Sequence, residues 1–220
     1  MWITAGAILL GGCRGAEPYW SETDPYAGPW ALGVLSPYAM DARLEESATV
    51  DADGNFYRRI LAGVVGGGKK NLGNGPAGWS RGWLVTGAGA EREVLDAKLP
   101  MSIYVRWQSL VEPQVYDGWI RIPESARQLM HRALTEECPE FPPEWSVIPK
   151  QASVMLGLAP GGIVKVWVLD ECRKPVEIKR VQVEVVPLGP NLGRSKGRYL
   201  PVTEPSKRYI DQYGIPYGSW

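Results

Sequence analysis

The chain has 220 residues, with 24 Lys and Arg balanced by 24 Asp and Glu. Apolar residues make up 45% of the sequence and charged residues 22%, which is typical of a folded domain and excludes a disordered chain. A surface without net charge does not attract a phosphate backbone over a distance, so the composition argues against a nucleic-acid partner.

Residues 3–12 are uncharged and largely apolar. The run is too short to span a bilayer, which takes about 20 residues, but it has the length of the apolar core of a signal peptide. It ends in Leu-Gly-Gly before Cys13, which resembles the lipobox where bacterial lipoproteins are cleaved and their new N-terminal cysteine is lipidated. We expect residues 1–13 to be the lipoprotein signal, with Cys13 as the lipid-attachment site, and residues 14–29 to be a surface tether. The alternative is a buried N-terminal strand with a free thiol.

Lipidation at Cys13 would hold the protein at a membrane. Each buried methylene of an acyl chain contributes about 0.8 kcal/mol, so several chains on one cysteine make detachment negligible. Arg14 follows the cysteine, whereas by analogy with the sorting rule for lipoproteins an Asp there would signal retention in the inner membrane. We therefore expect a periplasmic protein with a lipid anchor in the outer membrane.

The first part of the domain alternates short apolar runs with turn residues, which predicts β-strands at 30–35, 42–50 and 56–65. The turn at 51–55 contains Asp, Gly and Asn, a composition that favours a hairpin. The spacing of its acidic residues also resembles the start of a calcium loop, but the twelfth position holds Ala62 where such a loop has a bidentate Glu. We therefore expect a hairpin without a metal.

A Gly-rich loop at 66–82 contains the most enzyme-like string in the sequence, Gly-x-Ser-x-Gly around Ser80. In α/β-hydrolases that serine lies on a strained turn between a buried strand and a helix. Here Gly, Asn and Pro precede the serine and a strand-like run follows it, so the required context is missing on both sides. The base would have to be the single histidine, His131, which falls toward the polar side of a predicted helix. A weak esterase is therefore the least favoured function.

The clearest β pattern lies at 102–122, where apolar and polar residues alternate on both sides of a Val-Glu-Pro turn. Ile103, Val105 and Trp107 share one face, which predicts an antiparallel hairpin. A proline then begins an amphipathic helix that we expect to span 123–137. Its apolar stripe consists of Ala126, Leu129, Met130, Ala133 and Leu134. Its predicted solvent face includes Glu124, Arg127, Gln128 and Arg132.

Once Cys13 is set aside, two cysteines remain, Cys138 and Cys172. In an oxidising periplasm an even pair predicts one disulfide, which would close a loop of about 35 residues and contribute a few kcal/mol. Two free buried thiols are the alternative. Two distant cysteines and one histidine offer too few ligands for a zinc site, so we expect neither a metal nor a cofactor.

Two further strands are predicted at 163–169 and 176–186. In the second strand the apolar residues change phase, which strict alternation does not allow, so we expect a β-bulge near residues 179–180. The proline-containing tail is expected to be mostly irregular, with one helical turn at 209–213. Together these elements predict a mainly β, α+β fold over residues 30–220, with antiparallel sheets arranged like a β-sandwich and one amphipathic helix.

One segment of the sequence resembles a known family. It contains Leu-Pro at 99–100, Trp-Gln-Ser-Leu-Val-Glu at 107–112, Tyr116, and Ile-Pro-Glu at 122–124 followed by an arginine. This segment is similar to the signature of a proteobacterial lipoprotein family known as domain of unknown function 2931. The likeness is strongest over residues 99–130, and members also share a lipobox and a Trp- and Gly-rich middle region.

Lipoproteins related to that family are often encoded beside type VI secretion lipase effectors. The resemblance therefore implies an immunity protein that binds and inhibits a phospholipase toxin, and it brings no catalytic residues to assign. We expect a protein-binding protein and not an enzyme. The alternative is a structural or assembly lipoprotein of the cell envelope.

The aromatic residues suit a binding role, since the chain has 10 Trp and 10 Tyr but 2 Phe. Trp and Tyr combine a large apolar body with a polar group and are common at protein interfaces. We expect Trp79, Arg81 and Trp83, beside the Gly-rich loop, to contact the toxin. Any one aromatic residue is nevertheless more often packed in a β-rich core than placed at an interface.

Overall fold

The structure is a computed structural model that describes residues 28–66, 91–140 and 150–220, which form two β-sheets and two α-helices. The strands are β1 (Trp30–Leu35), β2 (Ala42–Asp51), β3 (Phe56–Arg58), β4 (Gly63–Val65), β5 (Glu91–Glu93), β6 (Pro100–Ser109), β7 (Gln114–Arg121), β8 (Ala152–Ala159), β9 (Ile163–Leu169), β10 (Pro175–Gln182) and β11 (Glu184–Val185). The helices are α1 (Glu124–Thr135) and α2 (Glu204–Tyr213). Neither helix of the described ranges has the length and apolar character needed to cross a bilayer.

The first sheet has five strands in the order β10-β9-β8-β1-β5. The second has six, in the order β11-β7-β6-β2-β3 with β4 also paired to β2. The pairs are antiparallel, as predicted, except that β1 runs parallel to β8. The sequence does not predict β8, because all eight of its residues are buried. A strand that is buried on both faces lacks the alternation from which strands are recognised.

The inner faces of the two sheets share one hydrophobic core, which confirms the predicted mainly β, sandwich-like fold. Trp30 of β1 and Trp107 of β6 are fully buried in this core. Each such ring removes roughly 200 Å² from water, which contributes about 5 kcal/mol. The indole N–H of Trp30 also donates to the carbonyl oxygen of Lys98 at 3.0 Å. Ile103 and Val105 lie on the same inward face as Trp107, as the alternating pattern predicts.

Helix α1 packs its apolar stripe into the same core, as predicted. It follows a proline N-cap and ends at Thr135, slightly short of the predicted 123–137. The prediction that Arg127 faces solvent is wrong, because this residue is buried. Its guanidinium contacts the sulfur of Met101 and pairs with Glu124 at 3.3 Å. A long side chain can bury its stem in this way while its charge stays paired.

The tail contains a second helix, α2, where the sequence predicts only one helical turn at 209–213. Thr203 caps this helix, since its Oγ1 accepts the backbone N–H of Ser206 at 3.4 Å. Pro205 lies in the first turn, where its missing N–H costs nothing. The hydroxyls of Thr203 and Ser206 both donate to the carboxylate of Asp41, at 2.7 and 3.0 Å. These contacts fix the start of α2 against the loop that follows β1.

Two local predictions are confirmed. The register of β10 against β9 shifts between Glu177 and Lys179, where a bulge is expected. In the β2–β3 hairpin, the carboxylate of Asp51 accepts the backbone N–H groups of Asp53 and Asn55, at 3.0 and 2.9 Å. This carboxylate is therefore engaged in forming the turn, as in an ordinary hairpin.

Cys138 and Cys172 form a disulfide, as predicted, with their Cα atoms 4.8 Å apart and a sequence separation of 34. The bond joins the segment after α1 to the turn between β9 and β10. It therefore crosslinks the helix end to an edge of the first sheet.

Substituting both cysteines by serine, Cys138→Ser with Cys172→Ser, is expected to lower the free energy of unfolding by about 2–4 kcal/mol. The reason is that the open chain gains loop entropy in the unfolded state. Urea unfolding of the two proteins, with and without reductant, measures the effect. The variant is its own control, because reductant leaves its midpoint unchanged. A wild-type midpoint that does not move on reduction would contradict the prediction.

A candidate binding surface on the second sheet

The outer face of the second sheet is formed by alternate residues of β3, β2, β6 and β7. Strand pairing places Arg58 opposite Ala48, Ala48 opposite Tyr104, and Tyr104 opposite Trp119. Because side chains alternate along a strand, these residues point away from the core while their neighbours in sequence point into it. The pairing therefore sets an arginine, a small residue and two aromatic residues in one row across four strands.

Phe56, Tyr104 and Trp119 form an exposed aromatic cluster on this face. The ring centroids of Tyr104 and Trp119 are 5.3 Å apart, and those of Phe56 and Trp119 are 6.1 Å apart. Ala48 lies opposite Tyr104, and its small side chain leaves room on this face for the ring of Phe56 from β3 to meet the ring of Trp119 from β7. Phe56 remains 54% exposed and Trp119 51% exposed. Large rings that touch one another and stay half exposed form an apolar surface of the kind that partners cover.

A β-bulge beside this cluster brings two carboxylates to one arginine. The register of β2 against β6 shifts between Leu44 and Glu46, so that Glu45 is an extra residue in β2. Glu45 Oε2 lies 3.2 Å from Arg106 Nε, and Glu46 Oε2 lies 3.0 Å from Arg106 Nη2. The side chains of Arg106 and Glu45 are only 8% and 2% exposed. The bulge thus neutralises a guanidinium that is almost fully removed from water.

The same network connects the charged groups to the aromatic cluster. Glu46 Oε1 accepts a hydrogen bond from Arg58 Nη2 at 2.7 Å. Arg106 Nη1 donates to the hydroxyl of Tyr104 at 3.2 Å, and that hydroxyl donates to Asp117 at 2.8 Å. Burial, and then the hydrogen bond to Asp117, raise the pKa of Tyr104 to about 12. The hydroxyl is therefore protonated at neutral pH and keeps its place as a donor.

A pocket of about 270 Å³ opens next to this network. It is lined by Glu45, Glu46, Arg58, Arg59, Arg106, Asn191, Leu192 and Arg194. One wall is the 190–194 loop, which is held by a 2.9 Å hydrogen bond from the backbone N–H of Asn191 to Oε1 of Glu45. Four guanidinium groups and two carboxylates line the pocket, so its balance of charge favours an anion. We call this the arginine pocket.

None of the residues that the sequence predicts to be functional belongs to the described part of this surface. Outside the described residues lie Cys13, Trp79, Ser80, Arg81 and Trp83. Lipidation at Cys13 and toxin contact by the other three residues besides Ser80 therefore stay predictions, and the disfavoured esterase site at Ser80 is not tested. His131 is half-buried on α1. In the described part of the chain, no group of three His, Cys, Asp or Glu side chains could hold a metal ion.

Sequence reasoning finds part of this surface and misses the rest. The outward direction of Tyr104, Arg106 and Trp119 follows from their alternation with the core residues of the hairpin. The bulge at Glu45 leaves no comparable signal, because the surrounding residues keep no strict alternation. The approach of the 190–194 loop is a long-range contact that no local pattern indicates.

The ion pairs of Glu46 should make part of the folding stability depend on pH. The hydrogen bond from Arg58, and with it the charge of Arg106, holds the pKa of Glu46 below its ordinary value of 4.5 although burial opposes this. A carboxyl group with a lowered folded-state pKa stabilises the fold above its ordinary pKa, and this stabilisation is lost as the pH falls through the folded-state pKa. Glu46→Gln is therefore expected to cost about 1–3 kcal/mol at neutral pH, and progressively less in acid.

Urea unfolding at neutral pH and at about pH 3, where most carboxyl groups are protonated, measures the difference. Glu184→Gln, which removes an exposed carboxylate from the short strand β11, is the matched control. A destabilisation of the Glu46 variant that stays the same size in acid would refute the explanation.

Comparison with known proteins gives one match. The chain fits the model of a family described as "Protein of unknown function (DUF2931)" over residues 18–218. No curated protein and no solved structure matches the chain. The matched range includes every strand and helix described above, and with them the aromatic cluster and the arginine pocket. The chain therefore belongs to the DUF2931 family.

Proposed function

We propose that this protein acts by binding and inhibiting another protein, as a membrane-anchored periplasmic immunity lipoprotein against a type VI secretion phospholipase effector. The observation that carries the binding role is the exposed aromatic cluster of Phe56, Tyr104 and Trp119 on a rigid sheet. Trp, Tyr and Arg are the residues most often responsible for binding energy in protein interfaces, and all three types meet on this face.

The arrangement of the surface supports a tight protein contact. Strand pairing and ring contacts place the three rings side by side. The guanidinium groups of Arg58 and Arg106 are held by Glu45, Glu46 and Tyr104. Side chains that are already ordered lose little conformational entropy when a partner covers them. An apolar centre with a charged rim is also the usual composition of a specific interface.

One further observation supports the proposed compartment. The disulfide between Cys138 and Cys172 is of the kind that persists in oxidising compartments such as the periplasm. A lipid anchor at Cys13 would keep the inhibitor at the membrane that a phospholipase attacks, which raises its local concentration. The choice of a lipase as the partner comes from the resemblance to lipoproteins encoded beside such effectors. The contacts predicted for Trp79, Arg81 and Trp83 would be made with the same partner.

The first test starts from the gene next to the one for this chain, which the proposal predicts to encode a lipase effector. Its product is co-purified with the protein, and lipase activity is then assayed. We expect a stoichiometric complex and loss of activity. Truncating hot-spot rings costs about 2 kcal/mol or more, so the double variant Phe56→Ala with Trp119→Ala should bind at least about 30-fold more weakly. Val176→Ala removes an exposed apolar side chain from the first sheet and is the control. The absence of both complex and inhibition with the wild-type protein would rule the proposal out.

The second test concerns the anchor. We expect Cys13→Ser to move the protein from the membrane fraction to the soluble periplasmic fraction, because the acyl chains supply the membrane affinity. Purified variant should still inhibit the effector, while protection of cells should fall. Membrane fractionation with acyl-chain labelling measures the first effect. A deletion strain with a permeability defect in the absence of any toxin would instead favour a structural envelope lipoprotein.

A further inference from the structure

The charges in the arginine pocket are not balanced. The guanidinium groups of Arg58 and Arg106 face Glu45 and Glu46, as described above. Arg59 makes no ion pair or hydrogen bond with any part of the chain that the structure describes. Arg194 uses its Nε to donate to the carbonyl oxygen of Asn191 at 3.1 Å, and within the described ranges no carboxylate pairs with it. Two guanidinium groups at the pocket rim are therefore available for an anion from outside.

The backbone beside Arg59 and Arg194 adopts a conformation that is unfavourable for residues other than glycine. Arg59, Asn191 and Leu192 all have positive φ angles, of 55°, 52° and 54°. Residues other than glycine rarely adopt this conformation, and they cluster at functional sites when the surrounding structure enforces it. All three line the pocket, so part of the strained backbone of the described ranges lies at its rim.

The size of the pocket limits what it can receive. Its volume of about 270 Å³ is just below the range of roughly 300–1,000 Å³ that is usual for small-molecule sites. Such a space suits one inserted side chain better than a whole ligand. A carboxylate fits the planar guanidinium group, which can bind both of its oxygens at once.

The pocket is also continuous with the aromatic cluster. Arg106 lines the pocket and donates to the hydroxyl of Tyr104, whose ring packs against Trp119. Arg58 lines the pocket and lies two residues after Phe56 on the same face of β3. A partner that covers the rings therefore has this positively charged pocket at the edge of its contact.

We propose that the arginine pocket receives an acidic side chain, Asp or Glu, of the protein partner. Arg59 and Arg194 pair with its carboxylate, while the aromatic cluster contacts apolar residues beside it. This inference rests on the proposed function, because it names the chemistry of the partner at the same surface. The two ion pairs determine orientation and the rate of association, which falls as salt rises.

The experiment compares the wild-type protein with the double variant Arg59→Glu with Arg194→Glu for binding to the neighbouring effector. Both side chains are exposed, so the midpoint of urea unfolding should be unchanged. We expect affinity to fall at least about 30-fold, mainly through slower association, and the salt dependence to weaken. Arg180→Glu reverses an exposed charge on β10 of the first sheet and should leave binding unchanged. Reversing one acidic residue of the effector to Lys should restore binding to the double variant.

The outcomes separate this inference from the proposed function. Unchanged binding by the double variant, together with weak binding by Phe56→Ala with Trp119→Ala, would overturn the acidic-side-chain inference and leave the proposed function intact. If the wild-type protein does not bind the effector, the proposed function fails. A tetraglutamate peptide then tests directly whether the arginine pocket binds carboxylates. It should shift the side-chain N–H resonances of Arg59 and Arg194 in a ¹⁵N-labelled protein, whereas a tetralysine peptide should not. No shift with tetraglutamate would refute the inference.

Discussion

The contact between Arg106 and the two carboxylates of the β2 bulge is the interaction on which this surface depends. Arg106 stands on β6, the middle strand of the second sheet, where an uncompensated charge so far removed from water would cost several kcal/mol. The bulge supplies Glu45 and Glu46 together, and each carboxylate also reaches a second group. Glu46 binds the guanidinium of Arg58 on β3, and Glu45 binds the backbone of Asn191. One compensated charge therefore orders side chains on three strands and positions a loop from a distant part of the chain.

Tyr104 joins the polar and apolar halves of the surface. Its ring packs against Trp119, while its hydroxyl is held between the guanidinium of Arg106 and the carboxylate of Asp117. With its pKa raised to about 12, this hydroxyl does not ionise at physiological pH. The hydroxyl therefore keeps its hydrogen bond to Asp117 at that pH. A contact surface of this kind differs from one that contains histidines and changes its charge near neutrality.

The sequence predicts the elements whose pattern is local. The bounds of Trp30–Leu35 and Ile163–Leu169, the β6–β7 hairpin and the Cys138–Cys172 disulfide all follow from alternation, turn residues or cysteine arithmetic. It misses β8, which has no polar face. It also misses most of α2, because the prolines of the tail indicate irregular structure whereas Pro205 lies in the first turn of the helix. The arginine pocket could not be predicted, since its walls come from four separate parts of the chain. Their meeting depends on a bulge and on tertiary contacts that leave no periodic signal.

The parallel pairing of β1 with β8 affects how the chain folds. β1 lies inside the first sheet, and its pairing begins with Trp30 beside Ala152. Contacts between residues so far apart in sequence close slowly, because a long loop loses entropy before any contact forms. Until β8 is available, β1, the first strand of the described ranges, can pair only with the three residues of β5, and its other edge stays open. During that interval β1 is an aggregation hazard, and a holdase chaperone would have its greatest effect on yield there.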